Sequence, residues 1–140
     1  MKTFLFKHPA KFLSMVLWLV TIHSITIGMA LITQPAFLME WSGFRSDDEP
    51  FFPAQGGVFH LLMAVAYSLG ALDSKKYYLL IIFSIIVKAV ATLFLFVYCY
   101  FIEFKWAIFY FGVVDGIMGM TIFIALRHYL NVQTTNGKDE

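Results

Sequence analysis

Charge is scarce in this chain, and what can be read from it depends on where the little that exists is placed. Only 14% of the 140 residues are Asp, Glu, Lys or Arg, against 60% hydrophobic and 19% aromatic. A soluble domain of this size shows water far more polar surface, so the composition predicts lipid as the solvent. The formal net charge is +1, with no basic stripe to gather phosphates, which excludes an electrostatic nucleic-acid binder. Cysteine is nearly absent: Cys99 stands alone in an apolar run, so one chain builds neither an internal disulfide nor a Cys-x-x-Cys redox pair. Nucleophile motifs, zinc-ligand spacings, phosphate loops and dinucleotide fingerprints are missing as well, which lowers the expectation of an enzyme.

What is present is a set of four long apolar runs, at about 12–33, 56–72, 77–102 and 106–126. Crossing the hydrocarbon layer takes roughly 20 apolar residues, so four spans with short connections consume nearly the whole chain. They predict an all-α, up-down-up-down membrane bundle forming a single transmembrane domain over 1–140, with no room for a soluble catalytic domain. Pro9 opens the first run and Pro35 closes it, with no proline between, as a helix requires. The basic start Lys2, Lys7 and Lys11 is also how a secretory signal begins. The run behind it is too long for a signal core and has no small-x-small cleavage site before Gln34-Pro35, so the first span is expected to stay in the mature protein.

Orientation follows from the cations. Lys2, Lys7, Lys11, Lys75, Lys76, Arg127 and Lys138 fall on one side of the four spans, Arg45 and Lys105 on the other. The positive-inside rule then places both termini and the turn at Asp73–Lys76 in the cytoplasm of a bacterial inner membrane, with 127–140 as a cytoplasmic tail. The connection 34–55 faces out, its aromatic residues Trp41, Phe44, Phe51 and Phe52 at headgroup depth. Its acidic run Asp47-Asp48-Glu49 lacks the alternating ligands and the glycine of a calcium loop and reads as solvated charge. No metal site is expected. Gln55-Gly56-Gly57 opens the second span and reads as a flexible helix start, with an anion held on its backbone donors as the competing reading.

The most informative feature is that each span carries one ionisable residue: His23, His60, Lys88 and Asp115. Such residues are costly on a lipid face, so they turn inward, pair or line water, and they are candidates for function. Helical spacing groups them with small or polar neighbours: His23 with Thr26 and Ala30, His60 with Gly57, Ala64 and Tyr67, Lys88 with Ser84, Ala91 and Thr92. On the fourth span Gly112, Gly116 and Gly119 flank Asp115 and predict close helix packing against the first or third span. Counted from the outer span ends, His60 falls roughly 6–8 Å deep, His23 and Asp115 near 15 Å, and Lys88 about 20 Å. Lys88 can reach Asp115, as a buried ion pair that fixes register or as part of a proton or ligand site. Bis-histidine haem ligation by His23 and His60 suits this stagger poorly.

Four short spans with Gln55-Gly56-Gly57-x-x-His60-Leu61 opening the second resemble the small bacterial four-helix membrane proteins of the DoxX and BphX-like type. The resemblance covers span count, length and that opening, and carries no family catalytic residue onto a position here. It implies a neighbourhood in which some members look like accessory subunits of quinone-linked membrane oxidoreductases and many have no assigned role. Three functions are therefore weighed: an accessory or interaction protein docking on a larger membrane complex or on itself, a small proton-coupled transporter or channel using the His/Asp/Lys ladder, and a quinone- or lipid-linked membrane enzyme with His60 as acid or base.

Overall fold

The computed structural model describes residues 8–44 and 50–136, and over them the chain is helical with no strand. Pro9 supplies the first turn of α1 (Pro9–Thr33), where a missing N–H costs nothing and the fixed φ suits a helix. The helix stops at Gln34, whose left-handed backbone (φ 43°) turns its N–H back to the Ala30 carbonyl at 2.9 Å, while Pro35 cannot continue the ladder. A short helix α2 (Ala36–Ser42) follows and ends at Gly43, with φ 80°. Then come α3 (Phe51–Leu72), α4 (Tyr78–Phe101) and α5 (Trp106–Asn136).

Two bounds differ from those expected from the sequence. The second long helix begins at Phe51, five residues before Gly56, because Pro50 and Pro53 sit before and within its first turn, where the absent donors are not needed. With 22 residues rather than a bare 17 it is about 33 Å long. The last helix does not stop at Arg127-His128 but runs to Asn136, since no proline or glycine interrupts it after Gly119. Much of the stretch expected as a cytoplasmic tail, 127–136, is thus a helical extension.

α1, α3, α4 and α5 are long and apolar enough to cross a membrane. They form a closed ring in which α1 packs on α3, α3 on α4, α4 on α5 and α5 on α1. Successive long helices run antiparallel: Ser14 near the start of α1 bonds the Ala71 carbonyl near the end of α3, while Gly28 near the end of α1 meets Gly57 near the start of α3. The ring consists of two close pairs, α1 with α3 and α4 with α5. They are joined at one end by an aliphatic core containing Leu13, Leu17, Ile81 and Ile122, all fully buried.

At the other end glycine replaces the core. A Cβ added at Gly57 would lie 2.6 Å from the Gly28 carbonyl oxygen, and one added at Gly28 would lie 2.9 Å from that of Gly57. On that same end the connection after α1 docks on the α4–α5 turn: Trp41 meets Trp106 edge-on at 4.6 Å between ring centroids, and Lys105 Nζ sits 4.6 Å from the centroid of the Phe44 ring. The outer faces of the ring are apolar, with Leu19, Val90, Leu79 and Phe101 all well exposed.

Candidate functional site

The α4–α5 pair owes its closeness to the glycine row on α5. Gly112 faces Phe96, Gly116 faces Thr92 and Gly119 faces Lys88, so three residues spaced along one face of α4 meet three small ones. A Cβ at Gly119 would lie 3.0 Å from Lys88 Cβ. That approach brings the Lys88 ammonium onto Asp115, to which Nζ donates a hydrogen bond as a salt bridge. Lys88 is 2% exposed and Asp115 8%. Tyr67, the largest fully buried side chain, reaches in from α3 with its ring centroid 5.8 Å from the Lys88 Nζ. The buried Oγ1 of Thr92, one turn from Lys88, has no hydrogen-bond partner among the described residues.

On the α1–α3 pair the polar contact is Ser24 with His60. Ser24 Oγ donates to the His60 carbonyl at 3.0 Å and lies 3.3 Å from His60 Nδ1. A serine hydroxyl has one proton, so with that proton on the carbonyl it accepts from an Nδ1–H. A neutral His60 then carries its lone pair on Nε2, the atom a base or ligand uses.

His23 and His60 are both half-buried. The sequence-derived stagger in depth also shrinks. Because α3 begins at Phe51, His60 lies nine residues from its helix start, about 14 Å in, level with His23 and Asp115. A porphyrin between His23 and His60 has no slot, because α1 and α3 touch backbone to backbone close by, at Gly28 and Gly57. Among the described residues no three His, Cys, Asp or Glu side chains group as metal ligands.

The inner face of α1 is not the one expected. Thr26 points outward and closes its hydroxyl on the Ile22 carbonyl of its own helix at 2.9 Å, which frees it to face apolar surroundings. The buried row runs instead through Leu17, Val20, Thr21, Ser24 and Gly28, with His23 on its flank. Ser24 and Gly28 were missed, although Ser24-x-x-x-Gly28 is a small-x-x-x-small spacing. Gln55-Gly56-Gly57 is not a helix start; it lies in the second turn of α3, and Gly57 is small because α1 presses on it. Asp47, Asp48 and Glu49 lie outside the described residues. No protein family, curated protein or solved structure matches the chain.

Proposed function

We propose that the protein is a polytopic protein of the bacterial inner membrane, both termini in the cytoplasm, acting as an accessory subunit of a larger membrane complex. The DoxX-like resemblance points to the same neighbourhood. The carrying observation is that three of the four candidate polar groups, all but His23, have a hydrogen-bonding partner across a helix contact. Lys88 bonds Asp115 and Ser24 bonds His60, each within a close helix pair, which is what a device fixing helix register looks like. The remaining surface is chiefly apolar helix face, and α4 is the least enclosed of the four long helices. Such a chain offers lipid and neighbouring helices a surface and offers a soluble substrate little.

The test is purification of the tagged chain from native membranes in mild detergent, followed by native electrophoresis. Migration with a heavier assembly of other polypeptides is expected. A monodisperse, solitary monomer would refute the accessory role. A second reading, a proton or solute route, is favoured by one observation, that each of the four packed long helices carries one ionisable residue, with His23 and His60 half-buried and Lys88 and Asp115 buried. Proteoliposome flux that survives Lys88→Met/Asp115→Val would remove it.

A further inference from the structure

Where α1 begins and α3 turns into α4, a groove of about 640 Å³ opens between Lys11, Met15 and Trp18 on one wall and Leu72 and Lys75 on the other. Its two ends differ chemically. Lys11 and Lys75 are exposed at the mouth, and among the described residues neither forms an ion pair. Asp73 also lines the groove, but its Oδ1 accepts the backbone N–H groups of Lys75 and Lys76 at 3.1 and 2.9 Å, which ties its carboxylate to the turn. Among the described residues no side-chain cap bond closes the first turn of α1 and none in that turn is acidic, so the positive end of a helix adds to the same field. The opposing negative end of α3 is largely satisfied. The Ala71 carbonyl accepts from Ser14 Oγ at 2.7 Å, that of Gly70 from Ser74 Oγ at 3.0 Å, and that of Leu69 from the Asp73 N–H at 3.2 Å.

From Lys11 to Trp18, about 10 Å along the helix, the wall turns apolar. Met15 is 48% exposed, Trp18 41%, and Leu72 on the facing wall 69%. A cationic mouth leading onto an open apolar trough matches an amphiphile with an anionic head.

We propose that this groove holds an anionic diacyl phospholipid of the cytoplasmic leaflet, with its phosphate between Lys11 and Lys75 and an acyl chain over Met15, Trp18 and Leu72. The inference rests on the membrane reading and orientation above. Charge complementarity sets the head, and the apolar trough selects a lipid over free phosphate, which would use the mouth alone.

The full chain is reconstituted in phosphatidylcholine carrying a trace of spin-labelled phosphatidylglycerol or spin-labelled phosphatidylcholine, and the motionally restricted fraction of each label is read by electron paramagnetic resonance. Phosphatidylglycerol should be restricted in excess. Lys11→Gln or Lys75→Gln should each lower that selectivity about fivefold, the weight of one lysine near an anionic surface. Lys76→Gln should leave it unchanged, since Lys76 lies over the Tyr77 ring and outside the groove. Equal restriction of the two labels, or lysine variants that behave as the parent, overturns the proposal. Displacement of the labelled lipid by excess inorganic phosphate overturns the lipid assignment in favour of a free-anion site.

A second measurement needs no lysine variant. In a Trp41→Phe/Trp106→Phe chain, brominated phosphatidylglycerol should quench Trp18 fluorescence more strongly than brominated phosphatidylcholine, and equal quenching counts against the site. Extraction of the chain from native membranes by alkaline carbonate would sink the membrane reading itself. Retention without lipid preference sinks this inference alone.

Discussion

Replacing Lys88 by Met strands a carboxylate that is 8% exposed, and replacing Asp115 by Val strands an ammonium that is 2% exposed. Two estimates bound the cost. Opposite charges about 4 Å apart at an effective dielectric near 20 attract by about 4 kcal/mol. The stranded group can escape by becoming neutral, and at pH 7 an ordinary carboxyl takes up its proton at a cost of about 4 kcal/mol. Both agree with the roughly 3–5 kcal/mol seen when one partner of a buried pair is removed. Each single variant should therefore lose about 3–5 kcal/mol, a large share of a small domain's stability. The double variant Lys88→Met/Asp115→Val removes both charges and fills the site with carbon, so it should fall within about 2 kcal/mol of the parent. The assay is reversible unfolding in mixed micelles by circular dichroism, with two-state behaviour checked by tryptophan fluorescence. A double variant as unstable as the sum of the singles, or a single variant without effect, would refute the pairing as the reason these residues are buried.

Glycine gives a second contrast. Gly57→Ala puts a methyl 2.6 Å from the Gly28 carbonyl oxygen, a backbone atom that cannot swing away, so it should cost about 1–3 kcal/mol in the same unfolding assay. Gly56→Ala meets only Leu31 at 3.9 Å and should be neutral or gain up to about 1 kcal/mol of helix propensity; equal effects at the two positions would contradict the close approach of α1 and α3. Ser24→Ala removes both bonds to His60 and should cost about 1.2 kcal/mol, at about 0.6 kcal/mol for each hydrogen bond between membrane helices; a loss above about 3 kcal/mol would mean that His60 depends on Ser24 more than two bonds allow. In a Cys99→Ala background, an impermeant maleimide should label Glu40→Cys on intact spheroplasts and Lys76→Cys only after permeabilisation. The reverse pattern would invert the proposed orientation.

Much of the ring was legible because apolar runs long enough to span and the prolines around them carry their own punctuation. Pro9 and Pro35 bracket α1 in sequence as in structure. The bounds that were misplaced fall where polar or aromatic residues continue a helix past the apolar run, at Phe51–Gln55 and at Arg127–Asn136. Hydropathy measures the solvent a residue prefers and is silent about whether its backbone is helical. The face of α1 was misread for a related reason. Thr26 looks polar in a list, yet its hydroxyl is satisfied by its own helix, while Ser24 spends its proton across the α1–α3 contact. Which hydroxyl turns inward depends on the partner helix, and Gly57 supplies the closeness that decides it. Lys88 and Asp115 are 27 positions apart; counting depth along the two spans puts them within reach, while the closeness of the helices that joins them comes from the α5 glycine row.

The same pair decides how the functional readings can be told apart. Either single charge deletion leaves a buried ion unmatched, so loss of assembly and loss of flux would both follow from instability and would not discriminate. The double variant removes that common cause. If it folds, an accessory subunit should still migrate with its complex, because the apolar faces of α1, α3, α4 and α5 are unchanged. A charge route should be lost, because the two groups buried most deeply in it are gone. Retained assembly without a change in flux supports the accessory reading, and lost flux in a folded, assembled protein supports the route. His60 adds one more constraint. Its Nδ1 faces Ser24 in either case, so a route through this ring runs by Nε2, and His60→Gln, which keeps a polar side chain but removes the titrating ring, should abolish flux while sparing assembly only if the route exists.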